Sequence, residues 1–414
     1  MIINSLLDND MYKFTMAQSI SVSPWKDVCV TYRLINRSKH VRLADYICME
    51  ELKANLKHLF ALEITNDEGD YLRSIKVSSF ANPNKRQVFS DIFVSSIIGK
   101  PLGRYLGFGV SDDNGQLGLW FQGSWQSSVF YETPVMATIT ELFGKHSMEQ
   151  TLTLDGREAV KAIGVENTIR NLKTTIDNRS LRFSDFGTRR RFSFAHQEQV
   201  IERFLALSQY QFSGTSNLYF AKKYGIRPIG TLAHEMFMVV AASQELKNKS
   251  PVDAYRLVMD QWKATYGDTL SILLTDTFTT DWLFNSDLAE SVVKDWEGVR
   301  HDSGDAIAFG EKYIALCKKF GVDPMTKVIV FSDGLDFQTM VYILEYFRGK
   351  VWCIFGIGTN LTNNTGLRAP KIVIKATEVG DTEVGDTETV KLSDDPGKQM
   401  GGSVEYYKRI FNVK

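Results

Sequence analysis

From Leu181 to Thr359 the chain repeats one unit: a short apolar run, a polar or glycine-containing turn, then a longer stretch with helical spacing. "LRFSDF" precedes a helix expected near His196 to Leu207, "RPIGTLA" one starting at His234, and "LSILLTD" the stretch "DWLFNSDLAESVVKDW". "GVRHDS" leads into "DAIAFGEKYIALCKKF", "KVIVFSD" into "FQTMVYILEYF", and "KVWCIFGIGT" closes the series. Roughly six strand–helix units in a row predict parallel strands, because each helix serves as the crossover that a parallel pair needs. A closed barrel and an open doubly wound sheet both satisfy that pattern. The strand ends favour the barrel. They carry Asp185 with Arg189 and Arg190, Thr231 with His234, Asp276, Arg300 with Asp302, Asp333, and Gly358 with Thr359. A barrel brings all of these to one mouth. An open sheet would spread them along an edge, and only those near the switch point would meet.

The first ~130 residues read as mixed α and β. "VCVTYRLI" (Val28 to Ile35) is strand-like and "MEELKANLKHLFAL" has helical spacing. Asn114–Gly115 between strand-like flanks predicts a hairpin. From Lys371 the chain returns to strand-like and loop-like sequence. It includes the tandem repeat "TEVGDTEVGDTETV", expected to be a solvated acidic loop or an extended hairpin.

Charge and composition exclude several classes of function. The formal net charge is −1, so no global field draws nucleic acid or an anionic membrane, and an anionic ligand must be held by a local cluster of Arg and Lys. Cys29, Cys48, Cys317 and Cys353 have no metal-ribbon or redox spacing and read as reduced thiols. The N-terminal "MIINSLLDNDMYKF" lacks a basic n-region and a long apolar stretch, and no run has the length of a membrane span. The expected compartment is the cytoplasm.

Five motifs carry chemistry. "DFGTRRRFSF" (Asp185 to Phe194) sets three arginines after a strand end, where guanidinium forks suit carboxylate or phosphate. In "RHDSGD" (Arg300 to Asp305), Asp302 and Asp305 are candidates for Mg²⁺ or ribose hydroxyls. The same letters also read as a helix start with Ser303 or Asp302 as the cap and Asp305 in the first turn. "FSDGLD" repeats the logic around Asp333 and Gly334. "FGIGTNLTNN" places glycines so that N–H groups near Gly358 and Thr359 form an anion nest. His234 heads a helix at a strand end; a neutral imidazole there is a good nucleophile near pH 7. Glu235 cannot orient it, since adjacent helical residues do not face each other.

Taken together, "DNDMYKFTMAQ", "DFGTRRRFS", "GTSNLYFAKKYGIRPIGTLAHEMF", "RHDSGD", "VFSDGLD", "FGIGTNLT" and "KLSDDPGK" resemble the nicotinate phosphoribosyltransferase family, in the family's order and over nearly the whole chain. The resemblance implies an irregular α/β barrel (136–370) plus a smaller α/β domain built from both chain ends (1–135 and 371–414). It implies transfer of phosphoribosyl from phosphoribosyl pyrophosphate to nicotinate, giving nicotinate mononucleotide and pyrophosphate, the salvage entry to NAD. Mg²⁺ is implied as cofactor, ATP as co-substrate, transient phosphorylation of His234, and a homodimer. Matched residue by residue, Tyr12 corresponds to a nicotinate-stacking tyrosine, and Thr231 and Arg300 to nicotinate-contacting positions. Arg189 and Arg190 correspond to the arginine pair near the carboxylate and phosphates. Asp302, Asp333, Gly358 and Thr359 correspond to the phosphoribosyl side. The segment Gly123 to Val135 receives no role, because Ser124 and Ser127 are unusual there. The competing readings are a transferase for nicotinamide, a non-catalytic nucleotide or phosphosugar sensor on a barrel scaffold, and a barrel aldolase, for which Lys327 sits at the wrong end of its strand.

Overall fold

A computed structural model describes residues 1–78, 84–367, 369–381 and 385–413. Near the N-terminus lie β1 (Cys29–Asn36), the two-residue pair β2 (Lys76–Val77) and β3 (Arg86–Gln87), then β4 (Gly107–Asp113) and β5 (Gln116–Ser124). The β4–β5 hairpin turns at Asn114 and Gly115, with φ of 54° and 85°. Two successive left-handed residues give the turn whose twist matches the flanking strands, as the Asn-Gly pair predicts. Along β5, Leu117, Leu119 and Phe121 are buried on one face.

The parallel set is β6 (Phe183–Asp185), β7 (Phe212–Thr215), β8 (Ile272–Leu274), β9 (Gly298–His301), β10 (Val328–Phe331) and β11 (Trp352–Ile357). They form one sheet in the order β7-β6-β11-β10-β9-β8. The run "VIVF" of β10 is apolar throughout, as suits a strand covered on both faces. An extended segment spans the two edges. Thr215 of β7 donates its N–H to Arg227 O and accepts from Ile229 N, while the Thr231 hydroxyl donates to Ile272 O of β8 at 3.4 Å. The barrel is therefore irregular at this seam. Here the sequence reading needs correction: "RPIGTLA" is not a regular strand and makes one isolated bridge, Thr215 to Pro228. Pro228 has no N–H to donate to a ladder. The regular strand is β7, followed by helix Leu218–Tyr224, a unit the sequence reading passed over.

The tail returns as β12 (Ile372–Asp381) and β13 (Gly385–Glu388). β12 lies antiparallel to β1, from Cys29 opposite Gly380 to Asn36 opposite Ile372, in a five-stranded sheet ordered β13-β12-β1-β5-β4. Both chain ends thus share one sheet. The acidic repeat forms the pairing strands of a hairpin, and its residues 382–384 lie outside the described residues.

Helix His234–Leu246 joins the two sheets. Its residues are buried almost all round, and it packs against β12, β13 and helix Ala254–Tyr266. A helix buried on nearly every face is part of a core. Consequently its first residue, His234, cannot drift from the junction of barrel and antiparallel sheet. The N-terminal stretch is bolted to the barrel in the same way. Asp8 accepts from Arg191 and Asn217, Asp10 accepts from Ser216 and Thr133, and Met11 N–H donates to Ser216 O. These bonds set the start of helix Met11–Ser21, and with it Tyr12.

Candidate active site

The C-terminal ends of β6, β9, β10 and β11 open on one cavity of about 220 Å³. Arg189 and Arg190 follow β6, Asp302 follows β9, Asp333 follows β10, and Gly358 and Thr359 follow β11; all line it, together with Arg300 and His234. A second cavity of about 90 Å³ is lined by Tyr12, Thr231, Phe186, Arg189 and Arg300. Phe186, Arg189 and Arg300 belong to both, so the two spaces adjoin. Every residue matched by family resemblance lies in one or both.

The larger cavity is strongly basic. Arg37, Arg189, Arg190 and Arg300, with Lys375, Lys391 and Lys398, line it, and the carboxylates among its lining residues are Asp302 and Asp333. Burial, with Arg189 and Arg37 beside it, presses the Arg190 guanidinium down to about 10. Burial also lowers the Lys375 ammonium to about 8. Cations crowded away from water gain from an anion that answers their charge. Arg190 is aimed by its Nε–H, which donates to Ile372 O at 3.0 Å. Arg300 is held by Ser332 Oγ at 2.9 Å and Asp302 Oδ1 at 2.7 Å.

The smaller cavity is a slot with an aromatic residue, Phe186 or Tyr12, contributed by each of two distant segments. Burial keeps the Tyr12 phenol protonated. Gly356 lets Phe186 close over β11, because a Cβ there would stand 2.3 Å from the ring. Aromatic residues lining a cavity can stack on a planar ligand, and Arg189 and Arg300, which line it too, suit an anionic substituent.

His234 sits where the basic cavity meets the core. Its Nδ1 is 3.0 Å from Thr277 Oγ1, and its Nε2 is 3.0 Å from Asp302 Oδ2 and 2.8 Å from Lys391 Nζ. An ammonium can only donate, so Lys391 favours a bare Nε2 with the proton on Nδ1; the carboxylate of Asp302 favours the opposite tautomer. Burial and Lys391 lower the imidazole to about 4, so the ring is neutral at pH 7. Burial alone would raise the Asp302 carboxyl, but Arg300 and His234 hold it well below the usual carboxylate range. Asp276 backs the group, 3.7 Å from Nε2 and paired with Lys391 at 3.2 Å.

Several sequence expectations change. Arg191 does not face the cavity. It is fully buried, bidentate to Asp8 at 2.6 and 2.7 Å, and bonded to Glu141. Asp185 turns inward, accepting from Gln197, Thr215 and the Gly187 N–H, with burial pushing it up to about 6. Asp305 lies outside both cavities. It is the cap of helix Ala306–Lys319, accepting from Ala308 N at 2.7 Å, so the cap is neither Ser303 nor Asp302. His301 is buried beside Phe309 and Phe331, its Nε2 3.2 Å from Gly304 O. Among the described residues no three His, Cys, Asp or Glu side chains are grouped to hold a metal. With Asp302 and Asp333 already paired to Arg300 and Lys398, the donor set fits a cation that arrives on a phosphate ligand, not a resident one.

Other residues had no assignment from sequence. Lys391 and Lys398 sit in "KLSDDPGK", a motif of the resemblance whose letters alone point to no role. Phe186 lies inside "DFGTRRRFS". Arg37 and Lys375 carry no motif at all and arrive through β1 and β12.

Comparison with known proteins shows the family. The family model described as nicotinate phosphoribosyltransferase family matches residues 181–414, and that of its N-terminal domain matches residues 7–140. A nicotinate phosphoribosyltransferase of Desulforapulum autotrophicum is 36% identical over 97% of this chain and 97% of its own. That of Ralstonia nicotianae is 34% identical over 100% of both. The crystal structure of the Porphyromonas gingivalis enzyme superposes with a TM-score of 0.82 at 28% identity, covering 100% of both chains. That from Vibrio cholerae gives 0.80 at 31% identity, covering 100% of this chain and 95% of its own. By motif order, fold and full-length similarity, the chain belongs to the nicotinate phosphoribosyltransferase family.

Proposed function

We propose that this protein transfers the phosphoribosyl group of phosphoribosyl pyrophosphate to nicotinate, giving nicotinate mononucleotide and pyrophosphate, with ATP phosphorylating His234 to drive the reaction. The observation that carries the reading is the pair of adjoining cavities, an aromatic slot and a basic pocket, sharing Phe186, Arg189 and Arg300.

Nicotinate would enter the slot with its ring against Tyr12 and Phe186 and its carboxylate toward Arg189 and Arg300, near the Thr231 hydroxyl. The diphosphate would occupy the basic pocket near Arg190, Lys375 and Lys398. The Gly358–Thr359 turn and Asp333, which line the same pocket, would take the sugar phosphate and ribose. As the pyridine nitrogen bonds to the anomeric carbon, the bond from that carbon to pyrophosphate breaks. Positive charge develops on the sugar and negative charge on the leaving group, and the preset cations stabilise the latter. Mg²⁺ fits as a cation carried by the diphosphate, with Asp302 and Asp333 the carboxylates at hand; when bound it neutralises the leaving group.

For the ATP step, Nε2 of His234 is the nucleophile. The Nδ1–H tautomer donates to Thr277, leaving the Nε2 lone pair to attack the terminal phosphorus as ADP departs. Lys391 then balances the phosphoryl charge, which is about −1.5 to −2 by analogy with phosphorylated hydroxyls, until water attacks the phosphorus, the P–N bond breaks, and inorganic phosphate and the free imidazole are restored. Product analysis with nicotinate or nicotinamide, phosphoribosyl pyrophosphate and Mg²⁺, with and without ATP, tests the whole reading. Nicotinate mononucleotide formation stimulated by ATP supports it. Preferential turnover of neutral nicotinamide, or ligand binding without pyrophosphate release, refutes it.

A further inference from the structure

Glu132 begins helix Glu132–Thr151, and its side chain is 3% exposed. Oε2 lies 2.6 Å from Nζ of the fully buried Lys13. Oε1 is buried without a hydrogen-bond partner. It stands 3.6 Å from Nη1 of Arg189 and 3.6 Å from Nζ of Lys375. Lys13 has a second carboxylate, Glu235, at 2.6 Å, so its charge is already answered without Glu132. A buried carboxylate oxygen without a hydrogen bond is costly and calls for an explanation.

The two cations it faces supply one. Arg189 lines both cavities and Lys375 lines the basic one. Lys375 also feels Arg189, Lys391 and Lys13, all of like charge, and Glu132 is the leading group that offsets them. At 3.6 Å the attraction is Coulombic and uses none of the cations' N–H donors, which remain for ligand oxygens.

We propose that Glu132 is a positioning residue that holds Arg189 and Lys375 at the junction of the two cavities, aimed at the entering anions. This rests on the reading that the cavities take nicotinate and a diphosphate. Glu132 touches neither substrate and acts through the two cations.

The test is Glu132→Gln in the full chain, with pyrophosphate and nicotinamide affinities measured by titration calorimetry and steady-state kinetics measured in parallel. Losing the aim of two charge-assisted contacts should weaken pyrophosphate by about tenfold or more and raise KM for both anionic substrates similarly, while kcat falls less. Neutral nicotinamide should bind within about twofold of wild type, since it lacks the anionic group that Arg189 recognises. The alkaline loss of pyrophosphate affinity should move to lower pH, because Lys375 loses its main counter-charge. Equal weakening of nicotinamide and pyrophosphate, or unchanged pyrophosphate affinity, would overturn the proposal. If the variant does not fold, Lys375→Met serves instead: it should weaken pyrophosphate about tenfold, and an unchanged affinity would again overturn it. A wild-type protein that binds pyrophosphate but makes no nicotinate mononucleotide would count against the functional reading alone, since the calorimetric comparison stands without turnover.

Discussion

Nζ of Lys391 lies 2.8 Å from Nε2 of His234, across 157 positions of sequence. The contact joins the tail strap after β13 to the helix that heads the barrel junction, and it adds to burial in keeping the imidazole neutral. Removing a neighbouring cation favours imidazolium, so Lys391→Met should raise the His234 pKa from about 4 toward the free value of ~6.5. An NMR titration of the ring protons measures this. Phosphorylation by ATP should slow by at least about tenfold with loss of the balancing charge. A titration that does not move would refute the assigned role.

His234→Asn should leave the fold intact, abolish acid-labile label from γ-labelled ATP, and remove ATP stimulation while slow ATP-independent transfer persists. Undiminished label in this variant would move the acceptor elsewhere. His301 is a poor alternative, since it is packed beside Phe309 and Phe331.

Neighbouring arginines should behave oppositely. Arg191 is wholly buried against Asp8 and Glu141, and removing one partner of a buried ion pair costs about 3–5 kcal/mol. Arg191→Met should therefore lower stability in urea unfolding by that order. Arg190→Met should leave stability within about 1 kcal/mol, because it removes a cation already disfavoured by burial and like charge, yet raise KM for phosphoribosyl pyrophosphate by about tenfold or more. Equal destabilisation by both variants would contradict the assignment.

Lys375, lowered to about 8 by burial, gives a pH signature. A bound anion favours the ammonium, so the complex keeps its proton to higher pH than the free protein. Affinity for pyrophosphate should be flat below about pH 8 and fall as pH rises above it. Lys375→Arg keeps its charge and should flatten the profile. Calorimetry between pH 7 and 10 checks both; a wild-type affinity that rises with pH would refute the assignment.

The barrel strands were legible where apolar runs were uninterrupted, as in "KVIVFSD" and "KVWCIFGIGT". The seam at 227–231 was not, because Pro228 and Gly230 break the ladder while the chain stays extended. In the site, the matched residues were legible because the motifs keep them near strand ends. Arg191 misled because adjacent letters do not tell which guanidinium turns inward. Glu132 lay in the segment given no role; nothing in "YETP" signals that its carboxylate faces Lys13, Arg189 and Lys375.

The sequence by itself determined the alternation of strands and helices, the hairpin at Asn114–Gly115, and the chemical groups at the strand ends, since these depend on local periodicity and backbone sterics. Only the tertiary structure decided which charges meet. Lys391 and His234, Glu132 and Arg189, and Tyr12 and Phe186 come from separate segments. A largely buried helix fixes His234 between the sheets, β12 lying beside β1 brings in Lys375 and the tail, and the bonds of Asp8, Asp10 and Met11 to the barrel bring Tyr12 to the cavity of Phe186; burial and Coulomb attraction act through space and not along the chain.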